Sequence, residues 1–449
     1  MPCQPQAFDR SPTPWHKVLT MRSLRELMTR IRNGEAQAAY LEQTGQHDVD
    51  TETRRMLSLV SGFAKTADPD RDSCMLSAPG RTELAGNHTD HNRGRVLAAA
   101  CSLDTLGVLS PRSDGVIRIH SAGYDQVISV DTQDRSMHPD EQGSSEALVR
   151  GVVAYFADRR YGVGGFEAAV HSTVLPGSGL SSSASFEVFV AAALNTLYNG
   201  SRVETIEIAR AGQYAENTYF GKPCGLMDQI ACAHGGIVAI DFATDTPTID
   251  SVDADFTAAG YTLYVIDTGG DHASLTDDYA AVPAEMKSVA SALGHETLGD
   301  LDPGRFFSAI PELRNHCSDR ELLRAMHFYQ ENDRVNEMLA ALRDSDMNTY
   351  LSLVRESGIS SAMLLQNYFS PRRPEKQAVS LACAHASDFM RRRACTGAVR
   401  VHGGGFAGTI QAYVPLTYAA EFRAHMESLF GPGSVIQLHI RSAGPLAFS

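Results

Sequence analysis

The chain is 449 residues long and contains no run of about eighteen apolar residues, so it offers no helix able to cross a membrane. Its first residues, MPCQPQAFDRSPTPWHK, lack a basic start followed by an apolar stretch, and no secretory signal is expected. Positive charge is scarce. Lys and Arg number 39 against 53 Asp and Glu, a formal charge of −14. A field of that sign repels nucleic-acid phosphates and anionic lipid, so neither is an expected partner. It repels any phosphate ligand as well, so a site for one would have to make its own attraction from backbone amides, a helix N-terminus or a metal ion. The eight cysteines are scattered and form no C-x-x-C pair, which argues against a disulfide framework or a zinc site and fits a reducing cytoplasm. G-x-x-x-x-G-K-[ST] is absent too, so there is no P-loop.

What is present suits a globular α+β protein: 43% of residues are apolar and 20% charged. The length favours two domains. Residues 1–21 read as loop, and a helix begins at Leu24 with Leu27, Met28 and Ile31 on its face. A short helix is expected over 55–64 and a turn over 68–72. Strands are expected at 74–78, 96–101, 105–110, 115–120, 165–175, 236–242, 261–267, 399–401 and 409–414. Helices are expected over 181–197 and 206–220, with helical patterning through 275–395. Residues 1–50 form an N-terminal extension, and a boundary near 245 separates 51–245 from 246–449.

Four stretches carry chemistry. LPGSGLSSSAS (175–185) places Gly177 and Gly179 before a run of serines that opens a helix. Free N–H groups at such a helix start, with no side chain in the way, make a phosphate cradle. An ordinary glycine–serine turn with a serine N-cap reads equally well. APGRTELAGNHTDHN (78–92) crowds Arg81, Glu83, Asn87, His88, Asp90 and His91 into one segment. Sugar hydroxyls need such an array of donors and acceptors, and an arginine can neutralise charge that develops in phosphoryl transfer. A polar surface loop is the plainer reading. Asp228 sits in the apolar CGLMDQI and Glu216 late in the preceding helix; the first is a candidate for a desolvated functional acid or a helix cap, the second for a solvated helix residue. HGGGFAG (402–408) implies close backbone approach to a ligand or a neighbouring element, or a tight hairpin with a bulge.

In this order the four motifs resemble the GHMP kinase superfamily, and its galactokinase branch in particular, from about residue 55 to the C-terminus. The resemblance implies a two-domain α+β fold: an N-terminal domain like domain 2 of ribosomal protein S5, a ferredoxin-like C-terminal domain, and the active site between them. It implies ATP and Mg²⁺ and a small sugar, with no protein partner. Gly177, Ser178, Gly179, Leu180, Ser181, Ser182 and Ser183 would form the nucleotide loop, and Ser121 would approach the nucleotide. Ser183 and Glu216 would hold the metal. Asp228 would face the anomeric hydroxyl as base, and Arg81 would stabilise the transition state, although an arginine beside the acid would weaken it as a base. Asn87, His88, Asp90 and Tyr279 would bind the sugar. Where the family has Glu-His-Thr-Asp-Tyr, this chain has Asn87 and His91 at the ends, which bears on which sugar is taken. Ala407 replaces a usual glycine. A related sugar-1-kinase for N-acetylgalactosamine, a pentose or a uronic acid, and a sugar and ATP sensor without catalysis, are the alternatives.

Overall fold

The computed structural model describes residues 19–46, 48–174, 179–270 and 275–449. Among them the chain builds two antiparallel-rich sheets with helices on their faces.

The first sheet is organised by two long strands, β2 (Asp72–Ala85) and β3 (Arg95–Arg112). Each is long enough to serve two partners in succession. β2 takes the short β1 (Arg22–Ser23) at its start and β13 (Leu446–Phe448) beyond it. β3 pairs through its first half with β7 (Ile237–Asp241) and through its second half with β6 (Gly165–Ser172). β8 (Thr248–Val252) extends β7; β4 (Val116–Ser121) and β5 (Val127–Asp131) complete the edge beyond β6. The β4–β6 pair is parallel, and the connection it needs contains helix α4 (Ser145–Asp158).

β2 is buried from Ser73 to Ala85 because both of its faces are covered. On one face lie α4, α5 (Ser182–Tyr198), α6 (Thr205–Tyr214) and α7 (Met227–His234), contributing Val149, Val188, Ala211 and Ile230 to one core. The other face is shared. α1 (Leu24–Arg32), α2 (Glu35–Thr44) and α3 (Val49–Phe63) cover one end through Leu27, Ile31, Tyr40, Met56 and Phe63. Helix α10 (Asp319–Arg343) covers the other with Val335 and Met338. The buried face expected on α1 is there in Leu24, Leu27 and Ile31.

Two strand expectations change most. The runs 96–101 and 105–110 belong to one strand, because Asp104 between them is buried and neutralised rather than turned to solvent. Its carboxylate meets Arg55 at 2.6 Å, Arg441 at 3.6 Å, the hydroxyl of Tyr40 at 3.0 Å and Ser77. The strand expected to stop at Ala78 runs on through Pro79-Gly80 to Ala85, with register shifts at Pro79/Arg81 and Glu83/Ala85.

The second sheet has the order β10 (Ala398–Val401), β11 (Thr409–Pro415), β9 (Tyr261–Asp267), β12 (Val435–Leu438). β9 and β11 are central, and α13 (Ala419–Phe430) links β11 to β12. This is the split βαβ order of ferredoxin-like sheets, with α8 (Thr276–Ala292), α9 (Pro303–Leu313), α10, α11 (Met347–Ser360) and α12 (Ala378–Arg392) between its first two strands. The first sheet extends through β8, so a division at 245 parts β8 from β7, and β13 brings the C-terminus back to β2. No helix among the described residues is long and apolar enough to cross a membrane.

Candidate functional site

The register shift at Pro79 sets up the site. Gly80 passes so close to the serine loop that a Cβ there would lie 2.9 Å from Leu180 O, and Arg81 N–H donates to the same carbonyl at 3.0 Å. The Arg81 guanidinium, buried beneath this contact, donates from Nε to Asp228 Oδ1 at 2.8 Å and from Nη2 to Oδ2 at 2.9 Å, while Nη1 donates to Gly179 O. The fork thus ties the glycine–serine loop to the acid. Asp228 lies in the first turn of α7, with 31% of its side chain exposed, and accepts a further bond from the Ser181 hydroxyl. Ser181 stands at the N-cap of α5 in the left-handed region (φ 58°), an unusual conformation for a residue with a side chain. Gly177 and Ser178 lie outside the described residues. Gly179, Leu180, Ser181, Ser182 and Ser183 follow directly into the N-terminus of α5.

Helix α6 ends in a π-helical turn, Ala215–Phe220, which carries Glu216 inward. Ser183 Oγ donates to Glu216 Oε1 at 3.3 Å. The other carboxylate oxygen accepts from Gln229 Nε2 at 3.1 Å, and Gln229 also reaches Glu187 at 3.0 Å. Burial, then the neighbouring Glu216 charge, raises the Glu187 carboxyl well above its ordinary range. Lys222 Nζ lies 3.0 Å from Glu216 Oε1. A serine hydroxyl and a carboxylate oxygen that already draws a cation suit Mg²⁺, a hard ion that takes most of its remaining ligands from phosphate and water.

The HGGGFAG run is approached from the serine loop as well as from Tyr279 and Asn367. A Cβ on Gly179 would meet Thr409 Oγ1 at 2.8 Å and His402 Nδ1 at 3.0 Å. His402 bridges Thr409 and Thr82 at 3.1 and 3.0 Å; burial and then Arg81 hold its pKa well below the ordinary histidine value. Tyr279, in the first turn of α8, donates its hydroxyl to Gly405 O at 2.8 Å and packs its ring on Phe406.

The 87–92 segment divides. His88 (φ 59°) donates from Nε2 to Gly404 O at 2.8 Å and places Nδ1 3.3 Å from His91 Nε2. Burial, then His91, lowers its pKa to about 3. Asp90 Oδ1 is 3.1 Å from His91 Nδ1, and Oδ2 faces Gly225, where a Cβ would come within 2.1 Å. Asn87, expected to meet the sugar, is tied into the protein. The residue is fully buried, with its N–H groups on Glu83 Oε1 (3.1 Å) and Gly403 O (2.6 Å) and its oxygen on Asn367 Nδ2 (2.7 Å). Both of its side-chain N–H groups are committed, and its oxygen accepts one bond. Ser121 is not joined to the other motifs by any of these contacts; it lines a cavity of about 510 Å³ with His120, Ala122, Val170, Thr173 and residues of α3. Gln229, Lys222 and His402 were not singled out from the sequence, although Gln229 and His402 lie inside the quoted motifs.

Residues 61–111, which hold Arg81 to His91, match the galactokinase galactose-binding signature, and residues 147–236, which hold the serine loop, Glu216 and Asp228, match the GHMP kinases N terminal domain. The chain has the GHMP kinase fold and carries the galactokinase signature. Among solved structures it is similar to Lactococcus lactis galactokinase complexed with galactose, at 23% identity and TM-score 0.74 over 87% of this chain and 99% of that one. It is similar also to Methanococcus jannaschii mevalonate kinase (14%, 0.59, 82% and 98%). A D-glycero-D-manno-heptose 1-phosphate kinase from Bacteriodes thetaiotaomicron matches at 17%, 0.57, 84% and 99%. These likenesses below 25% identity speak for the fold, and the two family matches place their signatures on the segments that carry Arg81, the serine loop, Glu216 and Asp228.

Proposed function

We propose that the protein is a sugar-1-kinase of the galactokinase type, transferring the γ-phosphoryl group of ATP to the anomeric hydroxyl of galactose. The observation that carries this reading is the bidentate pair between Arg81 and Asp228 at 2.8 and 2.9 Å, set beside Ser183 and Glu216 at 3.3 Å. An acid fixed by a guanidinium can hold a hydroxyl in line for phosphoryl transfer, where positioning and charge stabilisation do most of the work.

Asp228, its two oxygens occupied by Arg81 and Ser181, accepts a hydrogen bond from the anomeric hydroxyl and takes its proton as the new P–O bond forms. Arg81 is placed to stabilise the charge that builds on the transferred group. Residues 179–183 direct the amides at the start of α5 toward the phosphates. Ser183 and Glu216 would hold Mg²⁺, which supplies charge neutralisation on the phosphate oxygens when bound. Asp90 and His88 border the sugar's position, and Tyr279 holds the glycine run over it. Asn87 is tied to Glu83, Gly403 and Asn367, so a related sugar-1-kinase for N-acetylgalactosamine, a pentose or a uronic acid is the second reading. The seven described cysteines are free thiols, which supports a cytoplasmic location.

The test is ADP release from Mg²⁺-ATP across a panel of aldoses. The reading predicts turnover with galactose well above that with glucose or mannose. ADP release without any sugar dependence removes it.

A further inference from the structure

Lys222 occupies a place that the serine loop leaves chemically incomplete. It follows the π-helical turn and Gly221, and its ammonium lies 3.0 Å from Glu216 Oε1, the oxygen to which Ser183 also donates. The partners differ in freedom. The Glu216 side chain is 4% exposed and fixed by Gln229, whereas the Lys222 side chain is 65% exposed and reaches in on a flexible stem. The glycine–serine loop itself contains no lysine, and the chain carries −14 overall.

We propose that Lys222 is a ligand of the ATP phosphates, parked on Glu216 before nucleotide binds and turned onto a phosphate oxygen when the metal takes Glu216. The inference rests on the kinase reading above. Two cations cannot share one carboxylate oxygen at contact distance without strong repulsion. The ammonium therefore moves when Mg²⁺ arrives, and the densest negative charge within its reach is the phosphate chain at the start of α5, whose Ser183 also touches Glu216. A compact, rotatable point charge on a long stem suits that exchange better than a fork would.

Calorimetric titration of ATP, with Mg²⁺ and with excess EDTA, into the wild type, Lys222→Met and Lys222→Arg tests it. With Mg²⁺, Lys222→Met is expected to bind ATP about tenfold more weakly than the wild type, the size of one lost charge-assisted contact, whereas in EDTA, where the lysine stays on Glu216, the two proteins bind it nearly alike. The difference shrinks as salt is raised, and Lys222→Arg recovers most of it. Lys222→Met also reaches half-saturation at lower Mg²⁺, because a competing cation is gone. Unchanged Mg²⁺-ATP affinity in Lys222→Met overturns the proposal, as does a shift confined to the Mg²⁺ requirement, which makes the lysine a placeholder only. The two levels separate cleanly: a wild type that fails to bind Mg²⁺-ATP sinks the kinase reading, whereas a wild type that binds it and a Lys222→Met protein that matches it sink the lysine alone.

Discussion

Arg81→Lys probes the site's central contact while keeping its charge. The guanidinium makes two bonds to Asp228, at 2.8 and 2.9 Å, and one to Gly179 O. An ammonium on a shorter, non-planar head can replace one of these at a time. Two charge-assisted bonds are lost, each worth about 1.5–3 kcal/mol, for a total of about 3–6 kcal/mol. The fork supports both the folded loop and the reacting geometry, so the loss divides between stability and turnover. If about half reaches the transition state, kcat falls about 10- to 150-fold at 1.36 kcal/mol per tenfold. The sugar KM changes less than about threefold, because the lost bonds fix the acid and loop rather than the sugar. Steady-state kinetics at saturating Mg²⁺-ATP, with the melting temperature measured in parallel, reads both parts. Turnover within about threefold of the wild type, or a loss confined to the sugar KM, refutes the reasoning.

Other predictions come from close approaches. Gly225→Ala puts a Cβ within 2.1 Å of Asp90 Oδ2, so Asp90 must move; the sugar KM is expected to rise about tenfold or more with the ATP KM nearly unchanged, in the same kinetic assay. Gly179→Ala combines a left-handed φ of 70° with contacts at 2.8 and 3.0 Å to Thr409 and His402, and should cost about 1–2 kcal/mol in strain alone, seen in urea unfolding, and weaken ATP more than sugar. His88 has its pKa lowered to about 3, so below the ordinary value near 6.5 the unfolded chain binds a proton that the folded chain does not, and stability is lost as pH falls. Between pH 6.5 and 5 that amounts to about 2 kcal/mol, so His88→Asn, which keeps a residue tolerant of φ 59°, should lose about that much less stability than the wild type on acidification.

Where the sequence was read correctly, the signal was local. β9 shows at its true bounds, Tyr261–Asp267, because it is a short apolar run between turns, and α1 shows in the spacing of Leu24, Leu27 and Ile31. Several errors share a physical source, which is polar groups neutralised by partners far along the chain. Asp104 looked like a turn residue between two strands, yet its partners are Tyr40, Arg55, Ser77 and Arg441. The polar helix α2 has little apolar periodicity to betray it, and it is held by Tyr40 reaching Asp104. Asn87 reads as a site residue because it lies in a polar motif, and only the fold brings Asn367 and Gly403 to occupy it. The converse holds for Arg81, Asp228, Ser183 and Glu216. Their motifs were legible one by one, but the bonds among them arise from the register shift in β2 and the π-helical turn, neither of which has a strong sequence signature.

The most direct test of the account is the position of the transferred phosphate. Incubating the protein with Mg²⁺-ATP and galactose and following the product by phosphorus NMR should reveal a resonance coupled to the anomeric proton, and Asp228→Asn should reduce its formation at least about a hundredfold. A phosphate on any other hydroxyl, or an Asp228→Asn protein that forms the product at the wild-type rate, contradicts it.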